Sequence, residues 1–176
     1  QLARIVTRRT PQEARVSLAR REIAELLDEG HEAGILLPVQ RTLTQRMLAA
    51  ASQPVRNFAS PAGRVVRVTT EMSKSEMLRI AQRHGRTLLP LEDARQQRKL
   101  VGYVRTIDLA LHEGDGLPPT RPLTTIRDGE TFLAALNKLA QTEDALGHVV
   151  SPTGKTIGFV TTRELRMALF RTEAIA

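Results

Sequence analysis

The feature that most constrains this chain is a repeat. Lys99-Leu-Val-Gly-Tyr-Val-Arg-Thr-Ile-Asp-Leu109 lies over Lys155-Thr-Ile-Gly-Phe-Val-Thr-Thr-Arg-Glu-Leu165 without a gap, at an offset of 56 residues. Five of the eleven positions are identical, and Val/Ile, Tyr/Phe and Asp/Glu are close exchanges. Such a period marks a supersecondary unit that buries its apolar face against its own copy.

The surroundings of each copy give the unit its shape. The first pass reads as a strand over 65–68, the capping-box spelling Ser73-Lys74-Ser75-Glu76, and a helix with Met77, Leu78, Ile80 and Ala81 inward. Strands over about 87–91 and 100–105 and a short helix from Thr106 complete it. The second pass has a strand over 123–126, Asp128 as N-cap, and a helix burying Phe132, Leu133, Leu136 and Leu139. Strands over about 147–150 and 156–161 follow, joined by a turn with Pro152 and Gly154, and a last helix starts near Thr162. Strand–helix–strand–strand–helix, used twice, predicts an α+β pair with pseudo-twofold symmetry.

Upstream, Ala19, Ile23, Leu26 and Leu27 predict a helix over 17–28, stopped by Gly30. Val39, Leu43, Met47 and Ala50 form a second stripe after Pro38, and Pro54, Pro61 and Gly63 interrupt the pattern over 51–63. The expected organisation is a basic leader and helical linker over 1–52, a first repeat over 53–114 and a second over 115–176.

Charge is uneven. Arg4, Arg8, Arg9, Arg15, Arg20 and Arg21 face only Glu13 in residues 1–21, whereas the whole chain carries +7. A folded nucleic-acid binder spreads a basic stripe over its elements, with aromatics for stacking, and aromatics here are 3%. The arginine-rich start fits either a segment near a cytoplasmic membrane surface or a solvated basic tail. No apolar run is long enough to span a bilayer or form a signal-peptide core. The absence of cysteine excludes disulfides and thiolate metal sites. Gln1 at the first position leads us to expect a piece of a longer protein.

The repeated unit resembles the CBS motif, whose signature is a glycine, two apolar residues, Ser or Thr, two variable residues and Asp. Gly158-Phe-Val-Thr161-Thr-Arg-Glu164 fits with Glu for Asp, and Gly102-Tyr-Val-Arg105-Thr-Ile-Asp108 keeps the acid but loses the hydroxyl. Flanking segments are similar to the CorC/cyclin-M type of magnesium and cobalt exporter. Residues 20–37 resemble the acidic helix leading from the membrane domain of those proteins. Ala59-Ser-Pro61-Ala stands where they read Met-Thr-Pro-Arg, and His84-Gly-Arg-Thr-Leu-Leu-Pro90 resembles their Gly-His-Ser-Arg-hydrophobic-Pro segment.

That resemblance implies tandem CBS motifs preceded by helices: a cytoplasmic regulatory module, dimeric, without catalytic residues, covalently attached to a membrane domain. No cofactor is required; ATP or AMP, with Mg2+, is the implied ligand. The carboxylate would take the ribose hydroxyls, and the Thr hydroxyl and helix amides the phosphate. The implied nucleotide site comprises Thr161, Glu164 and Gly158 of the second repeat, Asp108 and Arg105 of the first, and Ser60, Pro61, Arg86 and Thr87 from the flanking segments. Ala62 and Leu88 replace arginines of the family motifs, which removes two cations that could meet a polyphosphate.

A purely structural account of the same residues exists. Thr106 and Thr162 are good N-caps, Asp108 and Glu164 suit a first helical turn, and Gly102 and Gly158 suit close packing. On that account the module dimerises and its clefts hold no ligand. A nucleic-acid-binding protein using the basic leader is a further, less favoured alternative. Ser151-Pro-Thr-Gly154-Lys-Thr156 resembles the end of a P-loop but lacks its first glycine, and is read as a hairpin turn. The four histidines are scattered, and no metal site is expected.

Overall fold

The computed structural model describes residues 11–96, 99–114, 116–142 and 145–169, with side chains from residue 21 onward. It divides into two compact units, 1–51 and 52–176.

The first unit is a helical hairpin of α1 (Pro11–Glu32) and α2 (Pro38–Ala50). The helix does not stop at Gly30: it continues to Glu32, and Gly34 ends it with φ 72°. A glycine inside a helix costs only about 1 kcal/mol, too little to end it against a left-handed stop four residues later. Gly30 has another task, because a Cβ there would lie 3.2 Å from Leu36 Cδ1 in the returning loop. Asp28 fastens the two helices, accepting hydrogen bonds from Arg41 at 2.8 Å and Gln45 at 3.0 Å.

The second unit holds the repeat. Its first sheet has the order β1 (Ser60–Pro61), β7 (Thr156–Thr161), β6 (Leu146–Val150), β5 (Thr124–Arg127). The second runs β2 (Val68–Thr69), β3 (Leu88–Asp93), β4 (Lys99–Arg105). In both, the strand before the long helix is parallel to the one after it, and the last two strands form an antiparallel hairpin. The helices are α3 (Lys74–His84) and α4 (Thr106–Leu111) in the first repeat, α5 (Phe132–Ala140) and α6 (Thr162–Ala168) in the second.

The local signals explain most of these elements. Ser73 and Glu76 form the capping box that starts α3, and Gly85, with φ 59°, ends it. Gly154, with φ 79°, closes the β6–β7 hairpin, where Ser151 and Lys155 pair, so the P-loop-like segment is a turn. The predicted strand over 65–68 differs: pairing occurs at Ser60–Pro61 and Val68–Thr69, because Val65 and Val66 pack into the core instead of joining a ladder. The N-cap of α5 is Thr131, which accepts from Ala134 N at 3.2 Å, not Asp128. Asp128 lies in the preceding turn, paired with Arg56 at 3.8 Å.

Successive residues of a strand face opposite ways, and the repeat uses both faces. Val104 joins Val68, Met77, Ala81, Leu89, Leu91 and Leu109 in the core of the first repeat. Tyr103 faces the other way, into a cluster with Leu146 and Phe159 that joins the two sheets. Phe159 is the equivalent of Tyr103 one repeat later.

The lead-in segments are exchanged. β1 lies at the start of the first repeat but pairs with β7 of the second, Ser60 opposite Phe159 and Pro61 opposite Gly158. Arg121 lies at the start of the second repeat but pairs with Tyr103 on β4 of the first, through two hydrogen bonds of 2.9 Å. The motif glycines lie under these crossings. A Cβ on Gly102 would be 2.5 Å from the Arg121 carbonyl oxygen, and one on Gly158 would be 3.0 Å from Ala59 Cβ and Ser60 O. The structural role proposed for these glycines is therefore geometrically real.

Gly102→Ala must displace backbone, and we expect a loss of about 1–3 kcal/mol, the range for forced overpacking. Gly158→Ala should cost less. Gly129→Ala, with nothing within 4 Å of its Cβ position, should stay within about 0.5 kcal/mol. Urea unfolding of the three variants checks the order.

Candidate functional site

Each repeat ends a strand and starts a short helix at the same place, so an acid is presented at a strand–helix junction twice. The two junctions are built differently. At the second, Thr161 is the N-cap of α6: its hydroxyl accepts from Glu164 N at 3.1 Å. Glu164 closes the capping box, its Oε2 accepting from Thr161 N at 2.9 Å and from the Thr161 hydroxyl at 3.0 Å. The expected caps, Thr162 and Thr106, are each one residue too late. The caps are Thr161 and Arg105, because the strand's extended conformation persists through them. Thr106 instead donates its hydroxyl to Arg86 O and its amide to Thr87 O, both at 2.8 Å.

The other carboxylate oxygen of Glu164 faces a cleft of about 610 Å³. It is loosely held there, 3.4 Å from Ser60 Oγ and 3.9 Å from Arg86 Nη1. Ser60, Pro61, Arg86, Thr87, Thr161 and Glu164 all line this cleft. The lead-in supplies the first two, the turn between α3 and β3 the next two, and the β7–α6 junction the last two. Gly158 does not line it but lies behind Pro61, admitting β1 to the edge of β7. Sequence reasoning missed Phe58, Val65, Leu146 and Phe159, which form apolar walls, and Arg163 at the rim. Arg163 occupies one of the two variable motif positions, so the motif carried no signal for it. Its side chain is exposed and makes no hydrogen bond or ion pair among the described residues.

Behind the cleft wall, Arg67 bridges the repeats. Its Nη1 is 2.8 Å from Oε1 of the buried Glu92, its Nη2 donates to Ala62 O at 2.7 Å, and its guanidinium lies 5.6 Å from the Phe159 ring centroid. No sequence motif marked it.

Asp108 and Arg105 are elsewhere, beside a shallower depression of about 340 Å³ lined also by His112, Pro118, Pro119 and Arg121. Arg105 grips Asp108 with a fork, Nη2 to Oδ1 at 2.6 Å and Nε to Oδ2 at 2.8 Å. Arg121 Nε adds a third contact at 3.3 Å. Hydrogen bonds from Arg105, reinforced by Arg121 against the effect of partial burial, hold the Asp108 carboxyl down at about 2. The histidines do not gather: His148 is held between the Thr125 and Thr156 hydroxyls, and His31 meets Leu36 O. Among the described residues no group of three or more His, Cys, Asp or Glu side chains could hold a metal ion. Nor is any described helix long and apolar enough to cross a membrane.

The pH dependence of the Asp108 cluster has a definite sign. Its folded-state value is depressed, so the stability it adds is complete above about pH 4 and is lost as pH falls toward 2. Asp108→Asn should flatten the unfolding midpoint across that window, read by urea titrations between pH 2 and 5.

Comparisons with known proteins bear on the same region. Residues 116–171 match the family model of the CBS domain. No curated protein sequence gives a significant match. Among solved structures, the CBS domain of a bacterial CNNM/CorC family Mg2+ transporter aligns with TM-score 0.73 at 22% identity, over 83% of this chain and 92% of that one. A CBS domain from the same transporter family in complex with ATP aligns with TM-score 0.66 at 19% identity, over 76% and 98% of the two chains. CBSX2 in complex with AMP aligns with TM-score 0.55 at 24% identity, over 66% and 96%. Residues 116–171 thus match the CBS-domain model, and the two repeats together have the α+β fold of these CBS-domain structures.

Proposed function

We propose that this chain is the non-catalytic regulatory module of a CorC-like divalent-metal transporter, with an adenine-nucleotide site in the cleft of its second repeat. The observation that carries the reading is the convergence of Ser60, Pro61, Arg86, Thr87, Thr161 and Glu164 on one cleft of about 610 Å³. Its apolar walls, Phe58, Val65 and Leu146 among them, suit a base. The Glu164 oxygen facing Ser60 has only long contacts, so it is available to ribose hydroxyls. Arg86 and Arg163 supply cations for phosphate. Structural relatives carrying ATP and AMP support this ligand class. Magnesium would enter with the nucleotide; no resident cofactor is required.

In this reading residues 53–114 and 115–176 are the two CBS motifs, and the basic leader and helical hairpin over 1–52 connect them to a membrane domain at the cytoplasmic face. Ligand occupancy biases the module only through differential affinity for its states.

The test is thermal unfolding with ATP, ADP and AMP, each with and without Mg2+. Saturation at about 100 times Kd stabilises by about 2.7 kcal/mol, a readily measured rise in Tm. Thr161→Ala/Glu164→Ala lowers the starting Tm, because the capping box is lost, and should abolish the nucleotide-dependent rise. A rise of unchanged size in that variant refutes the site.

A second reading, a ligand-free dimerisation module, has its own observation. Thr161 and one oxygen of Glu164 are already satisfied by the capping box. Both readings call for a dimer, and the repeat places exposed Leu111 and Met167 at equivalent positions, 74% and 50% exposed. Leu111→Glu/Met167→Glu should convert a dimer to monomers in sedimentation velocity; persistence of the dimer would exclude this surface.

A further inference from the structure

The two repeat-equivalent acids have exchanged one kind of neighbour for another. Glu164 has hydroxyls in its two nearest side-chain places, Thr161 at the strand end and Ser60 on the lead-in that pairs with Phe159, with the Arg86 guanidinium farther off at 3.9 Å. Asp108 is surrounded by guanidiniums in the same two places. Arg105 stands at the repeat position of Thr161, and Arg121 lies on the lead-in that pairs with Tyr103. Neutral donors that a ligand could displace are replaced by cations tethered to the chain.

The difference shows in the distances. The cleft-facing oxygen of Glu164 has no partner closer than 3.4 Å. Both oxygens of Asp108 are taken at 2.6 and 2.8 Å by the Arg105 fork, and Oδ2 again by Arg121 at 3.3 Å. Paired, charge-assisted bonds of this kind are about twice as strong as those from a neutral hydroxyl. A ribose would have to strip two guanidiniums from the carboxylate and offer only hydroxyls in return. Arg121 cannot swing away with its backbone, because two hydrogen bonds hold it to Tyr103 and its carbonyl sits over Gly102. What remains open is the depression of about 340 Å³, against about 610 Å³ at the second repeat.

We infer that Arg105 and Arg121 are the built-in occupants of the first-repeat site, restricting the module to one nucleotide per chain. This rests on the nucleotide reading of the second-repeat cleft, and the experiment separates the two.

The measurement is calorimetric titration of the full chain with AMP, beside Arg105→Thr/Arg121→Ser, which gives the first repeat the donors of the second. One AMP per wild-type chain and two per variant chain is the expected result. Two per wild-type chain, or one per chain in both proteins, overturns the inference. If the wild type binds none and the variant binds one, the second-repeat site falls and the closure by arginines stands. If neither binds, both fall. Should the variant not fold, the Nε–Hε signals of Arg105 and Arg121 in a 1H–15N spectrum of the wild type decide. Signals unmoved by saturating AMP support the inference, and displaced signals overturn it.

Discussion

Close approach of the polypeptide backbone at two points organises the second unit. At Gly102 and Gly158 a lead-in segment from the other repeat lies so near the strand that a methyl group would meet carbonyl oxygen or a neighbouring side chain. The crossings bring Ser60 beside Glu164 and Arg121 beside Asp108, so the same geometry that completes each sheet also equips each junction. Tyr103 and Phe159, one residue after each glycine, then face the cluster that joins the sheets. Fold and site here share one cause.

Much of this was legible in the sequence, for physical reasons. The 56-residue offset survives because strand, glycine and first helical turn must satisfy the same sterics twice. The inward side of α3 could be read from helical spacing, but on α5 only Phe132 and Leu139 of the expected set are buried: Leu133 is exposed and Ala135 takes the inward place. The exchange of lead-ins could not: β1 and β2 are two residues long, too short for alternation to register, and Pro61 interrupts the first. Caps were displaced by one to three residues because several hydroxyls and acids compete at each helix start. Only backbone conformation selects among them, as with Thr161 over Thr162 and Thr131 over Asp128.

The candidate site was legible unevenly. Residues inside motifs or known flanking segments could be named in advance, and six of them, from Ser60 to Glu164, share one cleft. Arg105 and Asp108 were named with them, yet they form an ion-paired cluster at a separate depression. Arg121 carried no signal because its role depends on pairing with Tyr103 across the repeats. Arg67 was equally silent: two of its partners, Glu92 and Phe159, are distant in sequence, and the third is the backbone carbonyl of Ala62, which no side-chain pattern marks.

The crossed lead-ins have a consequence for the ancestry and dissection of such a module. A single repeat contains one lead-in and one acceptor edge, and in this architecture they do not serve each other. An isolated half would present an unpaired sheet edge together with a strand suited to a second copy's edge, the arrangement that produces reciprocal swapping. A self-complementary half of this kind is a natural homodimer, and joining two copies end to end turns an intermolecular embrace into an intramolecular one. The tandem chain is therefore an indivisible object: cutting between its repeats would not release two domains but would leave each with a borrowed edge.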